Sequence, residues 1–250
     1  MQGIKNQPYI DVAKYIPIDE LKAMELDICL GIAKSESHAG VYGPGVANEE
    51  KYKSLVGMLL SYSKSPDPEK KRLFSMLQTM SIDECAKFFK LYEGMYSAST
   101  VVYIRDFIEA KTLTSYQKKA MADATYLTDN AKHFPKLLEW INKLPFKEVG
   151  RVLFFIHEHD CQLLLHRDGP RYKPHSNEFL WLNPCEKKRL YIYDEDTKEK
   201  HYINTPAAFF NDLDMHGGDR CETMTWSIRI DGKFTDEFKK QLELDKVVTY

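Results

Sequence analysis

"TMTWSIRIDG", residues 223–232, alternates without a break. Thr223, Thr225, Ser227, Arg229 and Asp231 fall on one side, and Met224, Trp226, Ile228 and Ile230 on the other. A period of two predicts a strand whose apolar side packs beneath another layer. The opposite side then carries Arg229 into the interior or mouth of a β core. A cation there is costly unless an anion meets it, and the anion is either Asp231 or a ligand carboxylate.

The chain around this strand has the same texture. From residue 148 onward, short β-branched and aromatic runs are separated by turns: "RVLFFIHEHD", "CQLLLH", "NEFLWLNP" and "AAFFNDL". "KRLYIYDEDTKEKHYIN" reads as a hairpin around a polar tip. Several strands this closely spaced predict a sandwich or barrel. "TDEFKKQLELDK" closes the chain as a helix capped by Thr235.

Upstream, apolar residues recur at helical spacing. "IDELKAMELDICLGIAKS" carries acids in its first turn, and "NEEKYKSLVGMLLSYSKS" opens at Asn48. "DPEKKRLFSMLQTM" has an Asp67–Pro68 start, and "SIDECAKFFKLYEGM" a capping box from Ser81 to Glu84. "STVVYIRDFIEAK", "TSYQKKAMADATYL" and "PKLLEWINKLP" also read as helices. The expected architecture is one α+β domain over residues 1–250. A mainly helical part (1–147) packs on a β core (148–232), and a helix follows in 233–250. A Gly-rich loop at 35–50 is a candidate lid.

Composition narrows the class. A hydrophobic fraction of 43% and a charged fraction of 29% are those of a globular protein. The 35 basic and 37 acidic residues are well mixed, which gives no support to a dedicated nucleic-acid binder. No apolar run is long enough for a membrane span, and the first residues lack the apolar core of a secretory signal. Five scattered cysteines without a Cys-x-x-Cys pair fit reduced thiols, and a cytoplasmic location is expected.

Thirteen residues before Arg229 stands His216, followed by Gly217 and Gly218. Earlier, "LLLHRDG" places His166 and Asp168 two positions apart at the end of an apolar run. His-x-Asp alone is near the level of chance. In order with a distal histidine it gives two imidazoles and a carboxylate, a donor set that suits non-heme Fe(II) and leaves coordination positions open. Arg229 then offers a bidentate clamp for a carboxylate.

From Val152 to Gly232, "LLLHRDG", "FLWLNP", "RLYIYDED", "FFNDLDMHGG" and "MTWSIRIDG" occur in an order that resembles the Fe(II)/2-oxoglutarate-dependent dioxygenase superfamily. Its prolyl-hydroxylase-like branch is the nearest match. The resemblance covers about a third of the chain and implies a double-stranded β-helix (jelly-roll or cupin-like) core. It implies iron ligation by His166, Asp168 and His216, with Arg229 holding the far carboxylate of 2-oxoglutarate. Tyr191 and Asn177 are expected as co-substrate contacts, with Trp181 and Ser227 as further pocket residues. The implied reaction consumes O₂, decarboxylates 2-oxoglutarate to succinate and hydroxylates a C–H bond of a peptidyl side chain or small metabolite. Ascorbate would be a supporting reductant.

Plainer readings compete with these. His166 and Asp168 also fit a strand end running into a solvated turn, and His216 a loop residue beside two glycines. Arg229 could simply pair with Asp231. Tyr191 and Tyr193 serve equally well as core aromatics, and Ser227 as a packing residue. His157 and His159 resemble a second metal pair but read better as strand-end residues. From another functional class, the competitor is a non-catalytic β-sandwich binding module with a structural metal or none.

Overall fold

In the computed structural model, the described residues are 2–42, 62–79, 97–109, 117–157, 163–168 and 178–244. The strand read from "TMTWSIRIDG" is β12 (Thr225–Phe234), the axis of the fold. It pairs antiparallel with β5 (Phe146–His157) on one side and β7 (Phe179–Leu182) on the other. Flanked on both edges, it is buried along most of its length.

Among the described residues, the large sheet has eight strands. β1 (Tyr9–Asp11), β10 (Ala207–Phe210), β7, β12, β5, β3 (Ser97–Phe107) and β2 (His38–Tyr42) lie side by side in that order, and β4 (Thr125–Leu127) pairs with β3. The small sheet has four strands, in the order β6 (Leu163–His166), β11 (His216–Gly218), β8 (Leu190–Tyr193) and β9 (Lys200–Tyr202). All pairings in both sheets are antiparallel. Apart from the β8–β9 hairpin, strands β5 to β12 alternate between the two sheets, and a cavity is lined from both, so this part is a double-stranded β-helix. The hairpin expected around the polar tip is β8–β9.

The two sides of the large sheet do different work. Outward, Val152, Phe154 and Ile156 join Ile228 and Ile230 in the main hydrophobic core. That core is closed by residues of α1 (Ile18–Ala23), α2 (Glu25–Lys34) and the helix α4 (Pro135–Ile141), including Leu21, Ile28, Leu137 and Trp140. Each such side chain contributes about 1.5–3 kcal/mol of transfer free energy. Inward, Ser227, Arg229 and Asp231 face the cavity side, as the alternation predicted.

The helix α3 (Pro68–Leu77) starts as expected, with the Asp67 carboxylate accepting from Glu69 N at 2.9 Å. α5 (Asp236–Gln241) is capped by Thr235 Oγ1, which accepts from Phe238 N at 3.2 Å. The helices expected at 48–65 and 81–95, with the Ser81 capping box, fall wholly or mostly outside the described residues, as does most of the 35–50 loop.

Two expectations for the N-terminal part are corrected. "STVVYIRDFIEAK" forms β3, because Thr100, Val101, Val102 and Ile104 are β-branched and the run pairs with β5 along one edge. "TSYQKKAMADATYL" is, where described, a turn leading into β4. The segment before residue 148 is therefore not a helical cover alone. It supplies β1 to β4 to the large sheet, and β5 itself begins at Phe146.

Gly150 decides how the turn seats. A Cβ there would lie 2.2 Å from Lys119 O, and Arg151 N donates to that same carbonyl at 2.8 Å. Only glycine lets the 117–120 turn close on β5, which carries the Lys119 side chain into the interior.

Candidate metal centre

His166, Asp168 and His216 each present a ligand atom, and these atoms lie within 4.8 Å of one another. His216 opens β11 and stands opposite His166 in the small sheet. The register slips between the His216–His166 and Gly218–Leu163 pairs, so four residues of β6 (163–166) span three of β11 (216–218). This bulge matters because strict alternation would put Leu163 and His166 on opposite sides, yet both line the cavity. Leu165, between them, is exposed.

The His216 ring is fixed from behind. Nδ1 lies 2.9 Å from Asp214 O, which assigns its proton to Nδ1 and leaves the Nε2 lone pair toward Asp168. Burial, helped by His166, pushes the His216 pKa down to about 4, so the imidazole is neutral at neutral pH. The two rings are 4.4 Å apart between centroids. Asp168 is held by its backbone N, which donates to Asp212 O at 2.9 Å. Its Oδ1 faces the histidines, 3.6 Å from His166 Nε2 and 3.9 Å from His216 Nε2.

Asp168 Oδ2 meets cations instead. Arg229 Nη1 donates to it at 2.6 Å, and Lys119 Nζ is 3.6 Å away. Arg229 also donates through Nη2 to Asp212 Oδ2 at 2.5 Å and through Nε to Asp231 Oδ1 at 2.8 Å. Lys119 Nζ reaches Asp212 Oδ2 at 2.5 Å, and Arg151 Nε reaches Asp231 Oδ2 at 2.8 Å. Three cations thus face three carboxylates, and the network is neutral. Burial opposes the Asp168 charge, but Arg229 and Lys119 outweigh it and hold that carboxyl well below its ordinary range. Burial likewise opposes the Arg229 charge, and Asp231, Asp168 and Asp212 reverse the effect and raise its pKa.

Arg229, expected to hold a co-substrate carboxylate, has protein carboxylates as its partners in this structure. Its Nε, Nη1 and Nη2 each donate to a protein carboxylate, and its guanidinium carbon sits 3.8 Å from the centroid of the Phe179 ring. The plainer reading of an Arg229–Asp231 pair describes part of what is seen. What the sequence reading missed is Asp212, Lys119 and Arg151, which lie up to 110 positions from Arg229 and join it only through the fold.

The remaining candidates divide. Trp181 lines the cavity, and the Ser227 hydroxyl accepts a hydrogen bond from Lys188 Nζ at 3.0 Å. Tyr191 does not line the cavity. It follows Leu190, which does, and so turns to the other side of the small sheet, where its ring meets Tyr202 at 5.7 Å and Lys200 Nζ at 4.3 Å. Asn177 lies outside the described residues, as do His159 and His175. His157 is the last residue of β5 and is buried, and neither ring nitrogen has a hydrogen-bond partner. The cavity, of about 60 Å³, is lined by the triad, Arg229 and Lys188 alike.

No protein-family model matches the chain. No curated protein matches it either. The similarity lies with solved structures. A 2OG-Fe(II) oxygenase family oxidoreductase from Burkholderia pseudomallei aligns over 53% of this chain and 67% of its own, at 8% identity and a TM-score of 0.35. A prolyl-4-hydroxylase from Pseudomonas putida aligns over 55% of this chain and 72% of its own, at 10% identity and a TM-score of 0.31. A cupin domain from Bordetella pertussis aligns over 34% of this chain and 82% of its own, at 10% identity and a TM-score of 0.25. Among the described residues, no helix is long and apolar enough to cross a membrane.

Proposed function

We propose that this chain is an Fe(II)- and 2-oxoglutarate-dependent oxygenase that hydroxylates a C–H bond of a peptidyl side chain or small metabolite. The observation that carries this reading is the convergence of two imidazoles and one carboxylate at the wall of a cavity in the β core. That donor set fits a divalent iron with positions left open. His166, His216 and Asp168 would hold the metal. When bound with O₂ and 2-oxoglutarate, iron supplies the oxidative decarboxylation to succinate and CO₂ and the hydroxylation of the substrate.

The chain's own residues do the positioning. Asp214 O fixes the His216 tautomer so that Nε2 is the donor. Arg229 and Lys119 occupy Asp168 Oδ2 and leave Oδ1 on the histidine side. Phe155, Leu163, Phe179 and Trp181 line the cavity with apolar surface, which excludes water and strengthens every charge interaction inside.

The test is an anaerobic titration with Fe(II) and then 2-oxoglutarate. Wild type should retain one metal and develop the visible charge-transfer absorption of a chelated 2-oxo acid, and in air it should release succinate. A His166→Ala/Asp168→Ala variant should do neither. Equal metal retention by both proteins, with no absorption band, would return the chain to the binding-module reading.

A further inference from the structure

Lys188 is a fourth buried basic side chain in the β core, and it differs from the other three. Lys119, Arg151 and Arg229 each contact at least one carboxylate within 2.8 Å. Lys188 is 3% exposed, and among the described residues no carboxylate lies within ion-pair distance of it. Its Nζ donates to Ser227 Oγ at 3.0 Å and stands 5.2 Å from the centroid of the Phe155 ring. Phe155, Leu190 and Lys188 line the same cavity. One hydroxyl and an aromatic face compensate poorly for the hydration that an ammonium loses on burial. Burial accordingly pushes the Lys188 pKa down to about 7, so much of this amine is uncharged at neutral pH.

An uncharged amine is a nucleophile, and apolar walls around it favour imine chemistry with carbonyl compounds. The cavity sets the size of the partner. Its volume of about 60 Å³ is room for about four to six water-sized groups. Arg229, Lys119 and Arg151 are already matched by Asp168, Asp212 and Asp231, so the charges of the chain do not select an anion.

We propose that Lys188 is a covalent carbonyl-binding site that takes a small uncharged aldehyde as an imine. The Nζ lone pair attacks the carbonyl carbon, and the C=O π pair moves to oxygen. Ser227 Oγ accepts from Nζ and relays one proton from nitrogen to that oxygen, which gives the carbinolamine. The nitrogen then forms C=N as the C–O bond breaks, and its second proton leaves with the hydroxyl as water. Amine and aldehyde become imine and water, and the step needs no oxidant or metal. The site is independent of the oxygenase reading.

The test uses the full chain stripped of metal with a chelator, at pH 7, with sodium cyanoborohydride to reduce an imine to a stable secondary amine. The probes are acetaldehyde, which fits the cavity, and benzaldehyde, which does not. Peptide mapping by mass spectrometry locates the alkyl groups. Acetaldehyde should label Lys188 at least about tenfold faster than any surface lysine, whose free-amine fraction at pH 7 is below about one in a thousand. Benzaldehyde should leave Lys188 unlabelled while it reacts with the α-amine of the chain. Lys188→Met should lose only the Lys188 label and keep a melting temperature at or above that of wild type. Ser227→Ala should fold normally and slow labelling at Lys188 alone.

Equal rates at Lys188 and the surface lysines, or benzaldehyde labelling of Lys188, would overturn the proposal. A wild-type rate in Ser227→Ala would overturn the proton relay. The Fe(II) titration tests the oxygenase reading separately, so either can fail alone.

Discussion

Arg229 Nη1 donates to Asp168 Oδ2 at 2.6 Å, which ties the arginine on the central strand to the only carboxylate of the candidate metal triad. The same guanidinium holds Asp212 and Asp231, so one side chain links the triad to the buried charge network. Arg229→Gln should leave those carboxylates short of a cation. We expect a loss of about 3–5 kcal/mol in stability, as when one partner of a buried pair is removed. Metal affinity should fall about 10- to 100-fold, as when a group orienting a ligand is lost. Chemical denaturation and Mn(II) titration check both.

Gly217, next to His216, is packed against Tyr191. An added Cβ would lie 2.8 Å from the Tyr191 hydroxyl and 3.1 Å from Leu163 O. Gly217→Ala should cost about 1–3 kcal/mol by overpacking and should weaken metal retention by displacing His216. In a Tyr191→Phe background the closest clash is removed, so the same substitution should cost measurably less. A double-mutant cycle on thermal stability reads the difference, and an identical cost in both backgrounds would count against this packing role for Tyr191.

His157 is buried and neutral. Burial, with a smaller contribution from Lys188, pushes its pKa down to about 2 from the ordinary 6.5. Because the unfolded chain binds this proton below pH 6.5 and the folded chain does not, stability is full above that pH and falls as the pH drops toward 2. The slope from this one group is about 1.4 kcal/mol per pH unit. His157→Leu should therefore be near neutral at pH 7 and increasingly more stable than wild type at pH 6 and pH 5. Urea unfolding at the three pH values measures it.

Lys188 carries a pH signature in stability at the alkaline end. Burial pushes its pKa down to about 7. The polar and titratable groups facing it are His157 from β5, Ser227 from β12 and Cys221 from the segment before β12. Since its folded pKa lies below the unfolded value, the free protein should gain stability as pH rises from about 7 to 10.5, by up to about 1.4 kcal/mol per unit. Urea unfolding of wild type and Lys188→Met at pH 7, 8 and 9 should show that gain in wild type and none in the variant.

Much of the C-terminal fold was legible because its strands carry strong local signals. Trp226, Ile228 and Ile230 alternate with Ser227, Arg229 and Asp231, and a central strand buries one side in the core and turns the other to the cavity. The caps at Asp67 and Thr235 were legible for the same reason, since a side-chain acceptor beside the first helical turn acts within four residues. The N-terminal strands were not. "STVVYIRDFIEAK" has helical spacing of apolar residues as well as β-branched ones, and pairing with β5, some fifty residues later, settles the choice.

For the site, the sequence alone determined which residues have metal-binding chemistry and their order: His166, Asp168, His216. Only the tertiary structure decided what the charges do. A bulge in β6, invisible to alternation, turns His166 inward. A turn closing on Gly150 brings Lys119, and the fold brings Asp212 and Arg151, to an arginine that sequence could not pair. Coulomb interactions in a buried core depend on separation in space, and spacing along the chain does not encode it.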